Sequence, residues 1–148
     1  MLRLFCSLGI LFCLSFTYGS AAVYTWNGSE DSDWFNINNW DTGVPSSADT
    51  AIIAVGLNFP LITIGQTVNV RRLVVQTGSI LQISPISIFN TKTLDNSGHI
   101  IAGGPLQFST VFSDALVNQD GGLIEIQPGG KLFFAEVLGV CFTNLAGA

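Results

Sequence analysis

The chain has 148 residues, with five basic and ten acidic side chains and a formal net charge of −5. That acidity excludes the electrostatic grip on nucleic acid or anionic membrane surfaces that clustered Lys and Arg provide. Hydrophobic residues make up 48% of the chain, charged residues only 10%, and Gly occurs 16 times. The apolar residues are largely Ile, Val, Leu and Phe, which favour pleated surfaces over helix.

Residues 1–22 read as an export signal. Arg3 supplies the basic start, residues 4–16 an apolar stretch, and Ser20-Ala21-Ala22 a small-residue cleavage pattern, with cutting expected after Ala22. The apolar stretch is shorter than the roughly 20 residues of a membrane span, so no span is expected after signal removal. Cys6 and Cys13 leave with the signal, and Cys141 remains as a small buried hydrophobe with no disulfide partner. Losing Arg3 as well leaves four basic residues against ten acidic ones, a charge of −6. The expected location is secreted, at the cell surface.

Residues 23–50 hold all three tryptophans, Trp26, Trp34 and Trp40, among Asn, Asp, Ser and Gly. Turns are expected at Asn27-Gly28 and Val44-Pro45-Ser46. Residues 51–70 carry short β-prone runs, Ala51-Ile52-Ile53-Ala54-Val55 and Leu61-Ile62-Thr63-Ile64, separated by Gly56 and Pro60.

From Arg72 the text repeats itself. Leu73-Val74-Val75, Gly78 and Leu81-Gln82-Ile83 have the logic of strand, glycine turn, strand. Leu94-Asp95-Asn96-Ser97-Gly98 runs on to Gly103-Gly104-Pro105-Leu106-Gln107-Phe108, and Leu116-Val117-Asn118 with Gly122 runs on to Gly129-Gly130-Lys131-Leu132-Phe133-Phe134. Phe142-Thr143-Asn144 begins the phrase again. The spacing is 22 residues from Asn96 to Asn118 and 26 from Asn118 to Asn144. Such a period marks one supersecondary unit stacked on its neighbours. The expectation is an all-β chain in which residues 51–148 form a right-handed parallel β-helix and residues 23–50 form its N-terminal cap. Asn96, Gly98, Asn118, Gly122 and Asn144 sit at corners, where Gly reaches positive φ and stacked Asn amides bond one another. Leu106 and Phe108, and Leu132 and Phe134, point inward. An antiparallel β-sandwich is the alternative, since it too has many short strands joined by glycine turns. The cap is expected because an open first coil exposes unpaired backbone and apolar core. Trp26, Trp34, Trp40 and Asp49 are its structural residues, and Trp34 and Trp40 are also candidate glycan contacts through their aromatic faces.

The order Trp26-Asn27-Gly28-Ser29, Asp33-Trp34, Asn39-Trp40, Val44-Pro45-Ser46 and Asp49 resembles the opening of large secreted surface proteins of the Bacteroidota. A similar box opens some autotransporter passenger domains. Asn58-Phe59-Pro60, the phrase from Leu73 to Ile83, and the coil Asn96 to Ile100 follow in the same order. The resemblance implies a β-helical module displayed outside the cell, adhesive or scaffolding, within a longer protein. The phrase that restarts at Asn144 leads to the same expectation of a chain truncated at its C-terminal end, with further coils as its partner.

Chemistry is sparse. Glu30, Asp31, Asp33, Asn36, Asn38 and Asp41 are hard-oxygen groups of the kind that bind calcium, but their spacing matches neither an EF-hand nor a calcium β-roll, and bonded turns are expected instead. His99 is the sole histidine and is expected on a solvent face. Asp95, Asp114, Asp120 and Glu125 are spread over different coils, and strand alternation would let only one of Arg71 and Arg72 join any site. No catalytic residue, cofactor or metal is therefore assigned. The expected function is a non-catalytic structural or adhesin module with surface glycans or other cell-surface proteins as partners. The alternatives are a carbohydrate-binding module using the Trp box and a β-helical polysaccharide lyase or hydrolase.

Overall fold

The computed structural model describes residues 21–108, 116–134 and 142–144. Short runs of alternating apolar and polar residues become strands whose apolar side faces inward. In Thr67–Val75 the buried residues are Val68, Val70, Leu73 and Val75, and the alternation slips once at the exposed pair Arg71-Arg72. A straight strand cannot change phase in this way without exposing its core side. The chain therefore turns a corner at Arg71, and the strand serves two faces. Ile88–Asn96 does the same at Lys92, giving its first half to one neighbour and its second half to another.

Twelve strands, numbered β1 to β12 along the chain, are present among the described residues. One face carries β1 (Val23–Trp26), β2 (Thr50–Ile53), the second half of β4 (Thr67–Val75), the second half of β6 (Ile88–Asn96), β9 (Leu116–Asn118) and β12 (Phe142–Asn144). A second face carries β3 (Leu61–Ile62), β5 (Ile80–Ile83), β7 (His99–Ala102) and β10 (Leu123–Ile126). The first halves of β4 and β6 continue through β8 (Pro105–Phe108) to β11 (Lys131–Phe134), which makes the third face. Each circuit of the chain advances one strand on every face, which is a parallel β-solenoid. All ten strand pairings among the described residues are parallel, so the antiparallel sandwich is ruled out.

Tight turns join the faces. Thr63–Gln66, Gln76–Ser79, Ser84–Ser87, Gln119–Gly122 and Gln127–Gly130 each close with the fourth residue's N–H donating to the first residue's carbonyl. The third residue has positive φ in all five: Gly65, Gly78, Ile86, Gly121 and Gly129. A positive φ at this position is the mark of a type II turn, in which Gly is strongly preferred. Ile86, at φ 57°, is the exception. Other glycines are required by close approach: a Cβ at Gly98 would sit 2.5 Å from the Gln76 carbonyl, and one at Gly122 2.3 Å from that of Asn96.

Stacked register puts like residues in columns. Ala51, Leu73, Leu94 and Leu116 form one buried column, and Leu81 and Ile100 belong to another. Leu106 is buried and Leu132 packs against the core, as the alternation predicts, whereas the side chains of Phe108 and Phe134 lie outside the described residues, as do Cys141 and Asp114. Asn96, Asn118 and Asn144 occupy one register position on three successive strands. Asn96 donates to Asn118 Oδ1 at 2.6 Å and to the Leu123 carbonyl at 3.2 Å, and Asn118 donates to the Gly122 carbonyl at 2.8 Å. The side chain of Asn144 lies outside the described residues.

The sheet edge at β1 does not lie open. The chain returns through a 3-10 turn, Ile37–Asn39, so that Trp40 bridges Trp26 in antiparallel fashion. Asn27 donates to the Asn39 carbonyl and Asp41 to that of Thr25, at 2.8 and 3.0 Å. On the second face Asp33 bridges Leu61. Pairing an edge in this way removes the template for association with another chain.

Candidate functional site

Three places in the fold gather residues that the sequence singles out: the tryptophan cluster, the acidic loop beside it, and the outer surface of the first face. Trp26 lies at the end of β1, Trp40 on the returning segment, and Trp34 between them next to Asp33, which bridges β3. Trp34 is 0% exposed and Trp40 4%, with Trp26 equally enclosed. The rings meet edge to face, Trp26 with Trp40 at 5.2 Å and Trp34 with Trp40 at 4.8 Å. Trp34 also meets Phe89 at 5.4 Å, so the cluster reaches into the core beneath the third face. Trp26 Nε1 donates to the Asn58 carbonyl and Trp40 Nε1 to that of Trp34, each at 2.8 Å. A sugar ring stacks on an aromatic face open to water, and neither Trp34 nor Trp40 offers one. The glycan contact expected of them is therefore replaced by a role in closing the end of the solenoid.

The acidic loop is knitted to itself. Asp31 accepts from its neighbours Asp33 N, Asn39 Nδ2 and Asn36 Nδ2 at 2.8, 2.6 and 2.9 Å. Asp33 accepts from Phe35 N, and Asn36 from Asn38 N, in turns that Asp and Asn form with the backbone two residues on. Fully buried Asn39 accepts from Glu30 N and Asp31 N and donates to the Asp33 carbonyl, tying the loop to the 3-10 turn. Hydrogen bonds from Asn36 and Asn39 hold the Asp31 carboxyl below the usual carboxylate range. Asp41 is lowered chiefly by the Thr25 backbone N–H. Among the described residues no group of three His, Cys, Asp or Glu side chains is placed to hold a metal ion.

Asp49 anchors the entry to β2. Its Oδ1 accepts from Ala22 N at 3.0 Å, and its Oδ2 from Ser46 N at 2.8 Å and Ser46 Oγ at 2.5 Å. The Ser46 hydroxyl is the main reason its carboxyl is lowered. Its carbonyl accepts from Arg71 N and Arg72 N, binding the cap to the first corner.

The outer surface of the first face holds a groove of about 370 Å³, lined by Thr50, Arg71, Arg72, Thr93, Asp95 and Val117 among others. Both arginines reach it, contrary to the expectation from strand alternation, because the corner at Arg71 breaks that alternation. Arg72 Nη2 lies 3.6 Å from Asp95 Oδ2, and Gln119 Nε2 donates to Asp95 Oδ1 at 2.8 Å. The corner leaves Arg71 exposed as well. Four successive strands of the first face, β2, β4, β6 and β9, thus border one polar strip, which no single stretch of the sequence displays. On the third face Asn90 Nδ2 donates to Asn69 Oδ1 at 2.9 Å on the solvent side. The alternation Val68-Asn69-Val70 and Phe89-Asn90-Thr91 carries that signal at a spacing of 21 residues.

His99 is half-buried on β7. Its Nε2 lies 3.3 Å from Glu125 Oε2 on β10, without hydrogen-bond geometry. Asp120 is exposed in the turn Gln119–Gly122. Among the described residues no helix is long and apolar enough to cross a membrane. Comparison with family models, curated proteins and solved structures finds no match for this chain.

Proposed function

We propose that this protein is a secreted, non-catalytic β-solenoid module that acts at the cell surface as a structural or adhesive element. The observation that carries the reading is where the polar side chains go. Asp31, Asp33, Asn36, Asn39, Asp49, Asn96 and Asn118 are engaged in turns and columns that hold the coil together. Side chains so engaged build a stiff rod and leave its outer faces as the working surface. The leader-like residues 1–22, rich in apolar residues and ending in small ones, support export. A fold alone does not assign a function, and solenoids serve many.

A contact surface on such a rod needs fixed polar groups accessible to a partner. The strip of Arg71, Arg72, Thr93 and Asp95 supplies them, with both signs of charge. An acidic surface glycan, or an acidic patch on another cell-surface protein, fits a strip with two exposed arginines. The test is cell fractionation of the tagged full chain, followed by binding of the released protein to a glycan array and to intact cells. Release into the medium, with binding that falls at least fivefold in Arg71→Ala/Arg72→Ala, supports the reading. Retention in the cytoplasm counts against it, as does product formation from a polysaccharide.

A further inference from the structure

We infer that, on export, the chain is cut between Ala21 and Ala22, and that the new α-ammonium group of Ala22 forms an ion pair with the carboxylate of Asp49. This rests on the export reading above and moves the cut one residue upstream of Ala22-Val23, the bond favoured by the small-residue pattern alone. Asp49 is 7% exposed, and among the described residues no Lys or Arg side chain forms an ion pair with it. Its Oδ2 has two donors from Ser46, while among the described residues its Oδ1 has one, the backbone nitrogen of Ala22, 3.0 Å away. The Ala22 carbonyl in turn accepts from Thr50 N at 2.8 Å, next to the first register pair of β1 and β2, Val23 with Thr50. Among the described residues Ala22 is thus the first engaged with the fold, whereas Ala21 is exposed.

Two cuts satisfy the requirement for small residues one and three positions before the scissile bond: Ser20 with Ala22, and Gly19 with Ala21. Their consequences differ. Cutting after Ala22 removes the nitrogen that faces Asp49 Oδ1 and the carbonyl that faces Thr50 N, so both groups lose the partner they have in the fold. Such a loss is costly for a buried charged group. Cutting after Ala21 keeps both contacts and improves one. A peptidase of the export machinery adds one water across the Ala21–Ala22 amide. The carboxylate stays on Ala21 and departs with the leader, and the nitrogen of Ala22 takes up protons to become an ammonium. An α-amino group is ordinarily protonated at neutral pH, and the facing carboxylate favours that charged form. A neutral N–H donor becomes a charge-assisted one at the same position, and charge-assisted bonds are roughly twice as strong.

The experiment is to express the full chain with its leader in a secreting bacterium and identify the first residue of the released protein by mass spectrometry of its N-terminal peptide. Ala22 is the expected first residue. Any other first residue, Val23 above all, overturns the inference and leaves the export reading standing, whereas a retained leader overturns both. On the released protein, acetic anhydride should modify the Ala22 α-amine at least tenfold more slowly in the native state than in urea. Equal rates in the two states overturn the ion pair. Asp49→Asn should restore fast modification in the native state if that variant folds, and the comparison with urea decides the matter if it does not.

Discussion

Asn96 donates its side-chain amide to Oδ1 of Asn118, 2.6 Å away and 22 residues later in the chain. Both side chains are buried, and both also bond the backbone at the corner between the first and second faces. The column they share continues upward through Val75, Ile53 and Trp26. The inner column is therefore apolar near the cap and amide-lined in the later coils, and this changeover marks where corner geometry begins to depend on side chains.

Replacing Asn118 with Ala removes the acceptor for Asn96 and the donor to the Gly122 carbonyl, leaving buried groups unpaired. A cost of about 1–3 kcal/mol follows from the price of an unsatisfied buried polar group. Urea denaturation should show a lower midpoint with little change in slope. An unchanged midpoint would mean that water replaces the amide.

Ile86 is 75% exposed and holds φ at 57°, where four equivalent turns place Gly. A β-branched residue in the left-handed region is strained by about 1–2 kcal/mol. Ile86→Gly loses little packing and should stabilise the protein by about 0.5–1 kcal/mol, since the greater flexibility of Gly in the unfolded chain offsets part of the relief. A thermal melt checks the sign.

Trp34 is fully enclosed, and its Nε1 has no hydrogen-bond partner among the described residues. Trp34→Ala should cost about 3–5 kcal/mol, in the range for large-to-small changes at buried aromatic sites. Trp34→Phe should cost much less, because it keeps an edge-to-face ring and removes the unpaired N–H. Chemical denaturation of the two variants gives the comparison, and acrylamide should quench native tryptophan fluorescence weakly.

Acid should weaken the fold through Asp49 and Asp41, whose carboxyls are held below the ordinary aspartate value of 3.8 by Ser46 and Thr25 respectively. A lowered folded pKa means that the unfolded chain binds more protons in the interval between the two values. The stabilisation is present above about pH 3.8 and is lost as the pH falls through the lower folded values. Asp49→Asn should flatten the acid limb of a stability profile measured between pH 2 and 5.

Much of this architecture is legible in the sequence for local reasons. Asn96, Asn118 and Asn144 recur at spacings close to one circuit, and Gly78, Gly121 and Gly129 mark turns that demand positive φ. Period and turn chemistry are properties of short segments, so they identify a parallel solenoid, its corner asparagines and its tryptophan-rich beginning. What surrounds each side chain was decided only by tertiary structure, because that depends on residues distant along the chain. Trp34 is enclosed through Phe89 on a later coil, and Asp49 meets Ala22 across 27 residues. Arg71 and Arg72 share one groove because the strand bends between faces, and strand alternation cannot foresee a corner inside an uninterrupted β-prone run. A repeat announces itself within one circuit, whereas a surface strip assembled from four strands exists only after those strands have stacked.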